Sequence, residues 1–145
     1  MVAMEECVFC SIASHHGKGG DVLYKDDKCV VVPDLYPSDY GHVLVISKVH
    51  YANMLEAPDE IICHMFEVAK LFAKAQEKSL GAAAVNISTN IGALAGQLIM
   101  HFHVHVIPRY ANGKRPSGFK KHSEITDEYR AELKRLLSDA VRDAS

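Results

Sequence analysis

Apolar and polar residues alternate along several short stretches of the chain, with the period of two that β-strands produce. Two strands joined at residues 25–27 are predicted by "VLYKDDKCVVVPD", and the second is an uninterrupted apolar run typical of a buried strand. Three more strands are predicted by "HVLVIS", "AAVNIST" and "MHFHVHVI". Most of these strands are neighbours in sequence, which favours a mainly antiparallel sheet.

Two segments instead have helical spacing. The first opens at Pro58, a residue suited to a first helical position, and can close at Gly81. Its apolar stripe consists of Ile61, Met65, Val68 and Phe72. The second helix is predicted from about Thr126 to Arg142, with an apolar side formed by Tyr129, Leu133, Leu136, Leu137 and Ala140. Strands and helices together predict an α+β fold, with helices packed on the sheet in one domain over residues 1–145.

Composition narrows the class of function. The 145 residues are 48% hydrophobic and 23% charged, and the net charge is −2, which gives no electrostatic reason to expect nucleic-acid or membrane-surface binding. No apolar run has the length of a membrane span, and the first residues lack the pattern of a signal peptide. We therefore predict a cytoplasmic protein, although a single sequence does not distinguish the cytoplasm from the nucleus or an organelle. The four cysteines then fit reduced thiols or metal ligands better than disulfides.

Three histidines in "IMHFHVHVIPR" dominate the candidate chemistry. On a strand, His101, His103 and His105 would share one face, with neighbours about 7 Å apart. Two mechanisms fit this row. The imidazoles could share a catalytic zinc with an open position, or one imidazole could act as a nucleophile assisted by its neighbours.

A second constellation indicates a structural metal. Cys7 and Cys10 form C-x-x-C, and His50 and His101 could complete a tetrahedral zinc site with no position open to water. Such a zinc would fasten the N-terminal segment to the sheet and leave His103 and His105 for catalysis. The alternative is a metal-free pair of packed cysteines.

Neutral donors precede the histidine row. Gly96 would allow a close approach of backbone N–H groups to an anion, and Gln97 and Asn90 carry amide donors, a combination that suits a phosphate. Asp34 follows the buried strand and could cap a turn or accept hydrogen bonds from sugar hydroxyls.

These segments resemble the histidine triad (HIT) family, in particular its Hint-type and bacterial members. "HFHVHVIPR" has the family's His-x-His-x-His form, and "CVFC", "DDKCVVVPD", "GHVLVISKVH" and "NIGALAGQ" match in order. The similarity covers a core from about residue 7 to residue 110 and does not extend to the loop and helix of residues 111–145. It implies an α+β, HIT-like protomer that pairs into a homodimer.

The resemblance also implies an activity. It indicates a purine nucleoside phosphoramidase-like hydrolase or transferase that binds an AMP-like nucleotide. Cleavage would take place at the α-phosphorus, through a nucleotidyl-histidine intermediate on His103 and without a catalytic metal. His105 and His42 would assist, and Asp34 and Leu35 would contact ribose and base. The implied phosphate-binding residues are Asn90, Gly96 and Gln97, and the implied structural zinc ligands are Cys7, Cys10, His50 and His101.

One departure from the family pattern affects this prediction. Many members have Ser or Thr where this chain has Leu98, and an apolar side chain cannot donate to a phosphate or leaving group. A regulatory module that binds nucleotide with little turnover therefore stays as an alternative. A dinucleoside polyphosphate hydrolase is a second alternative within the family. His122 is interpreted as a residue outside the site. The basic residues of the C-terminal loop are interpreted as a solvated surface, and they are Lys114, Arg115, Lys120 and Lys121.

Overall fold

The computed structural model describes residues 7–13, 22–115, 119–138 and 141. Its helices are α1 (Val8–Ala13), α2 (Asp59–Leu80) and α3 (Asp127–Leu133), and its strands are β1 (Tyr24–Lys25), β2 (Cys29–Pro33), β3 (Val43–Ser47), β4 (Ala84–Ser88) and β5 (His103–Arg109). No helix in this described part combines the length and the apolarity needed to cross a bilayer. The predicted α+β class is confirmed.

The five strands form one sheet in the order β1-β2-β3-β5-β4, and every neighbouring pair is antiparallel. All five residues of β2 and all five of β3 are buried, as expected for apolar strands covered on both faces. In β5 the burial alternates: Val104, Val106 and Pro108 are buried, and the residues between them are half-buried. The alternation of residues along β5 therefore places one set of side chains in the core and the other set on the opposite face of the sheet.

Helix α2 covers the core face. Pro58 precedes the helix as its N-cap residue, one position earlier than predicted, and Gly81 ends it in the left-handed conformation at φ 77°. Three of the predicted stripe residues, Met65, Val68 and Phe72, are buried against β3 and β5 side chains of the main core. Fully burying side chains of this size stabilises a fold by about 1.5–3 kcal/mol each, so this face holds the helix on the sheet.

The opposite face has a smaller apolar cluster under α1, formed by Phe9, Ala13, Val30, Val32, Leu44 and Ile46 among others. This short helix was not predicted. Its residues Val8, Phe9 and Ile12 line a cavity on this face of the sheet.

The C-terminal helix begins as predicted, with the Thr126 side chain accepting a hydrogen bond from the Tyr129 N–H at 3.1 Å. After Leu133 the regular α-helix gives way to a π-helical turn over Lys134–Ser138. Leu133 and Leu137 are buried in the main core, while Ala140 and Arg142 lie outside the described residues.

Candidate active site

A cavity of about 640 Å³ lies on the sheet face opposite α2. Its floor is formed by alternate residues of β5, namely His103, His105 and Ile107, together with Val32 from β2 and Leu44 from β3. Because the intervening β5 residues are buried in the core, the strand has little freedom to rotate. The cavity imidazoles are thereby fixed in direction.

His103 is held in one tautomer by its own strand. Its Nδ1 lies 2.7 Å from the carbonyl oxygen of His101, and a carbonyl only accepts, so Nδ1 bears the proton. The lone pair is left on Nε2. Burial lowers the pKa of His103, and the hydrogen bond to His101 and the charge of Asp34 oppose that shift only in part. The fixed tautomer and the lowered pKa therefore favour a neutral imidazole whose Nε2 can act as a nucleophile.

A second hydrogen-bonded chain orients His105. The backbone N–H of Ser38 donates to Nδ1 of His42 at 3.0 Å, which places the proton of a neutral His42 on Nε2. That Nε2 lies 3.0 Å from Nδ1 of His105 and 3.6 Å from a carboxylate oxygen of Asp34. His105 then accepts at Nδ1 and presents an Nε2–H donor.

The charge state of His42 agrees with this chain. Burial lowers its pKa to about 4, Asp34 opposes this shift, and the electrostatic interactions with His105 and Arg109 act in the same direction as burial. Burial also lowers the pKa of His105. Near neutral pH both imidazoles are therefore uncharged, as the hydrogen-bond pattern requires.

The loop before β5 contributes Asn90, Gly96 and Leu98 to the cavity wall. Gly96 has φ 95°, a conformation that favours glycine, and a Cβ there would make an ordinary contact, 3.4 Å, with the side-chain nitrogen of Asn90. The side chain of Leu98 is 92% exposed. Leu98 borders the cavity without packing into the core.

Gln97 differs from its predicted role as a direct phosphate donor. The side chain is buried and is absent from the cavity lining. Its Nε2 donates to the carbonyl oxygens of Ala52 and Ile99, at 2.6 and 3.0 Å, and its Oε1 accepts from the Gly92 N–H at 2.8 Å. All three bonds lie within the surrounding backbone, so Gln97 sets the shape of the loop.

Asp34 and Leu35 both line the cavity at the end of β2. One carboxylate oxygen of Asp34 accepts from the Tyr36 N–H at 2.8 Å, which is the predicted turn-capping bond, and the other faces His42. Leu35 is 45% exposed. The carboxylate therefore caps its turn and still faces the cavity.

The predicted metal ligands converge. The ligand atoms of Cys7, Cys10, His50 and His101 all lie within 4.8 Å of one another. The Sγ of Cys10 is 3.1 Å from Nδ1 of His50, and both sulfurs are 3.4 Å from Nδ1 of His101. A tetrahedral zinc with bonds of about 2.3 Å to sulfur and about 2.0 Å to nitrogen separates S and N by roughly 3.5 Å, so the donor set fits zinc.

His101 is oriented toward this cluster by its other nitrogen. Nε2 lies 2.7 Å from the carbonyl oxygen of Ser47 and so bears a proton, which leaves the Nδ1 lone pair for the sulfurs or an ion. The row of three histidines is thereby divided, since His101 serves the Cys/His cluster while His103 and His105 line the cavity. With Nδ1 of His103 bonded to a carbonyl, this arrangement does not favour one metal shared by all three.

Several cavity residues escaped prediction. Phe9 lies between the two cysteines and places its ring edge-on to His103, with centroids 4.9 Å apart. Ser88 is opposite His105 in the β4–β5 register, which the antiparallel pairing could have indicated. His122, predicted to lie outside the site, lines the cavity.

Arg115, which was predicted to be a solvated residue of the C-terminal loop, instead donates to the buried carboxylate of Asp39 at 2.6 and 3.1 Å.

Comparison with known proteins agrees with this geometry. A model of the HIT domain matches residues 17–112, more than half of the chain. The chain belongs to the HIT family. Among curated relatives of this HIT protein, adenylylsulfatase HINT3 of Arabidopsis thaliana is 39% identical over 105 residues, which are 72% of this chain and 52% of the plant protein. This HIT protein thus spans about half the length of that relative.

Other relatives match over nearly their whole length. Protein hit of Bacillus subtilis is 32% identical over 97% of this HIT protein and 95% of its own chain. A hypothetical histidine triad nucleotide-binding protein of Sulfolobus tokodaii superposes with a TM-score of 0.88 at 35% identity, covering 94% and 93% of the two chains. A Zn-bound histidine triad family protein of Mycobacterium smegmatis gives 0.83 at 31% identity, covering 98% and 97%.

Proposed function

We propose that this HIT protein is a nucleotide-binding hydrolase or transferase that cleaves at the α-phosphorus of purine nucleoside phosphoramidates or related adenylates. The observation that carries the proposal is the bond from Nδ1 of His103 to the His101 carbonyl, which leaves Nε2 as a neutral nucleophile facing the cavity. Attack by Nε2 on phosphorus forms the nucleotidyl-histidine, and water then releases the nucleoside monophosphate.

The other cavity residues take roles that follow from their positions. Asp34 accepts from the ribose hydroxyls and Leu35 contacts the base, since both line the same end of the cavity. Asn90 donates to the phosphate beside Gly96, where the absence of a side chain leaves room for an anion. Gln97 acts indirectly by holding this loop in shape.

His105 assists departure of the leaving group. With Nδ1 accepting from His42, its Nε2–H is the free donor at the floor of the cavity. In a phosphoramidate the P–N bond breaks as His105 gives this proton to the leaving amine, and the water of the second step returns a proton to the site. Positioned acid catalysis of this kind contributes about 10²- to 10⁴-fold.

A turnover screen tests the proposal. Purified protein would be incubated with nucleoside phosphoramidates, aminoacyl adenylates, an adenylyl sulfate and dinucleoside polyphosphates. The adenylyl sulfate is included because the relative HINT3 is an adenylylsulfatase. We expect release of AMP that resists a chelator. Nucleotide binding without product would favour the regulatory module instead, a preference for dinucleoside polyphosphates would favour the other alternative, and activity abolished by chelation would favour a metallohydrolase.

Replacement of Leu98 is expected to change the rate by a limited factor. Leu98→Ser adds a donor at the cavity wall, and one neutral hydrogen bond contributes roughly 0.5–1.5 kcal/mol, or about 2- to 12-fold in rate. We expect kcat/KM on an adenosine phosphoramidate to rise within that range, with little change in AMP binding. Leu94→Ser is the matched control, since Leu94 is fully exposed in the same loop and does not line the cavity. An unchanged or lower rate in Leu98→Ser would show that Leu98 does not face the leaving group.

We also propose a structural zinc bound by Cys7, Cys10, His50 and His101, with no catalytic metal. The cluster lies beside the nucleophile, because His101 provides both a ligand nitrogen and the carbonyl that orients His103. When bound, the ion would fasten α1 to the sheet. The cytoplasmic location predicted from the sequence is consistent with thiol ligands and stays a prediction.

A homodimer completes the proposal. Strand β4 lies at one end of the sheet, and among the described strands it pairs with β5 alone. Asn86, Ile87 and Ser88 on this edge are exposed. An unpaired edge readily adds another strand, and a two-fold axis would protect both copies at once.

Light scattering checks the dimer. At micromolar concentration we expect twice the 16.0 kDa mass of one chain. Ile87→Lys, which places a charge beside the β4 edge, should shift the mass toward the monomer, whereas Leu55→Lys, at an exposed leucine of the 3-10 helix Met54–Glu56, should not. A monomer in the unmodified protein would refute the assembly.

A further inference from the structure

Gln76 is a polar residue buried in the interior of the protein. It lies on α2 one helical turn after Phe72, and neither residue is exposed to solvent. Its Nε2 donates to the carbonyl oxygens of Gly41 and Val106, at 3.0 Å in each case, while its Oε1 has no hydrogen-bond partner among the described residues. An unpaired buried acceptor is unfavourable, so the presence of an amide here is explained by the two bonds that its nitrogen donates.

The two carbonyls that Gln76 binds belong to the neighbours of a histidine pair in the cavity. Gly41 immediately precedes His42, and Val106 immediately follows His105. Nε2 of His42 lies 3.0 Å from Nδ1 of His105. A single amide group is therefore bonded to the backbone beside both imidazoles.

This link lies where the strand pairing ends. Strand β3 pairs with β5 up to Val43, which is opposite Val106, and His42 lies one residue beyond this pair. The β3–β5 ladder therefore does not set the position of His42 relative to β5. By joining Gly41 to Val106, Gln76 continues the connection between the two segments past the end of the ladder.

Two tyrosines fix the peptide that joins Tyr40 to Gly41. The hydroxyl of Tyr110 donates to the carbonyl oxygen of Tyr40 at 2.5 Å, and the hydroxyl of Tyr129, on α3, accepts from the N–H of Gly41 at 2.9 Å. The carbonyl of Gly41 then accepts from Gln76. Three consecutive polar groups of this backbone are thus held by side chains from α2, from α3 and from the segment after β5.

The same turn orients the imidazole of His42. The backbone N–H of Ser38 donates to its Nδ1 at 3.0 Å, and the backbone N–H of His42 donates to the carbonyl oxygen of Asp39 at 3.1 Å. A movement of the backbone before His42 would therefore turn the ring and weaken its bond to His105.

We propose that Gln76 is a positioning residue for the His42–His105 pair, which it holds at hydrogen-bond distance through the carbonyls of Gly41 and Val106. This inference rests on the function proposed above, in which the Nε2–H of His105 assists departure of the leaving group. With the pair in place, Nδ1 of His105 accepts from His42 and the proton of His105 stays on Nε2. Without this bond both tautomers of the neutral His105 ring become accessible.

Nuclear magnetic resonance of the ligand-free protein tests the positioning directly. Protein labelled with ¹⁵N in its histidines is compared with Gln76→Met, which keeps the length of the side chain and removes its donors. The ring nitrogen signals distinguish a protonated nitrogen from an unprotonated one. We expect His105 to be protonated at Nε2 in the unmodified protein and to show both tautomers in the variant. An unchanged tautomer in folded Gln76→Met would overturn the inference.

Kinetics give a second readout. An adenosine phosphoramidate needs a proton on its leaving amine, whereas the p-nitrophenyl ester of AMP releases a stable phenolate. We expect Gln76→Met to lower kcat on the phosphoramidate roughly 10- to 100-fold with KM within about 3-fold, and to lower kcat on the ester less than about 3-fold. Equal losses on the two substrates would mean that Gln76 supports only the fold, which would contradict a positioning role.

Tyr129→Phe keeps the test open if Gln76→Met does not fold. It retains the ring and removes the hydroxyl that accepts from Gly41. The loss of one hydrogen bond should produce the same selective effect on the phosphoramidate, at about 2- to 12-fold. A Tyr129→Phe protein with the rates and tautomers of the unmodified protein would count against the inference.

Val68→Ala is the matched control, because Val68 is buried on the same helix and an apolar side chain cannot make these bonds. It should lower the melting temperature but leave the histidine signals and the ratio of the two rates unchanged. Tautomer signals that move equally in Val68→Ala would reflect general destabilisation and would overturn the inference. A tautomer shift confined to Gln76→Met, in a protein that turns over neither substrate, would refute the proposed hydrolase and still support the positioning of the pair.

Discussion

Replacing His103 with asparagine is expected to lower kcat by roughly 10³-fold or more while AMP binds within a few-fold of its original affinity. The amide nitrogen of asparagine can still donate to the His101 carbonyl, as Nδ1 of the imidazole does at 2.7 Å. It has no lone pair comparable to Nε2 to offer phosphorus. The variant therefore keeps the local hydrogen bond and loses the nucleophile.

Kinetics and trapping together check this assignment. Brief reaction of the unmodified protein with a nucleotide labelled at the α-phosphorus, followed by denaturation without acid, should leave label on His103, because P–N bonds are unstable in acid. His64→Asn is the control. That imidazole is on α2, bonds Asp26 at 2.6 Å and is not among the cavity residues, so activity should persist. A His103→Asn protein with most of its activity would contradict the mechanism.

The second large effect concerns stability. Purified protein should contain one zinc per chain, and Cys7→Ser with Cys10→Ser should lower the melting temperature by roughly 10 °C. An ion at 1,000 times its dissociation constant stabilises the folded state by about 4 kcal/mol, and for a domain of this size each kcal/mol shifts the melting temperature by about 2–4 °C. The double variant that remains folded should keep most of its activity, because the proposed zinc acts through stability and not through chemistry.

Cys63→Ser provides the comparison. Cys63 is an exposed thiol on α2, so its replacement removes a sulfur atom without changing the Cys/His cluster. Its melting temperature should match that of the unmodified protein. Metal analysis after purification without chelators gives the direct measurement. Absence of zinc, together with an unchanged melting temperature in the double variant, would favour the metal-free packed pair.

Local patterns explain why most of the fold could be predicted. Alternation identified β2, β3 and β5, and the spacing of Met65, Val68 and Phe72 identified α2, since each reflects how neighbouring side chains point from one backbone element. The end of α2 at Gly81 was equally local, because few residues other than glycine adopt its positive φ readily.

The site was less predictable where it depends on contacts distant in sequence. Gln97 carries the right donors for a phosphate, but the Ala52 and Ile99 carbonyls occupy them, and sequence spacing does not show which acceptor folding will bring near. His122 reaches the cavity through one backbone bond to Pro37, 85 residues earlier in the chain. Neither arrangement leaves a periodic signal.

The alternation of β5 has a consequence for which changes in the gene the protein can survive. His103 and His105 face the cavity only because Val104 and Val106 face the core, so inserting or deleting one codon within the strand would exchange the two sets. The imidazoles would enter an apolar interior while the valines faced the nucleotide. A frame-preserving change of one residue in length would therefore disturb the core and the cavity at the same time, whereas a single replacement such as His103→Asn affects one of the two faces.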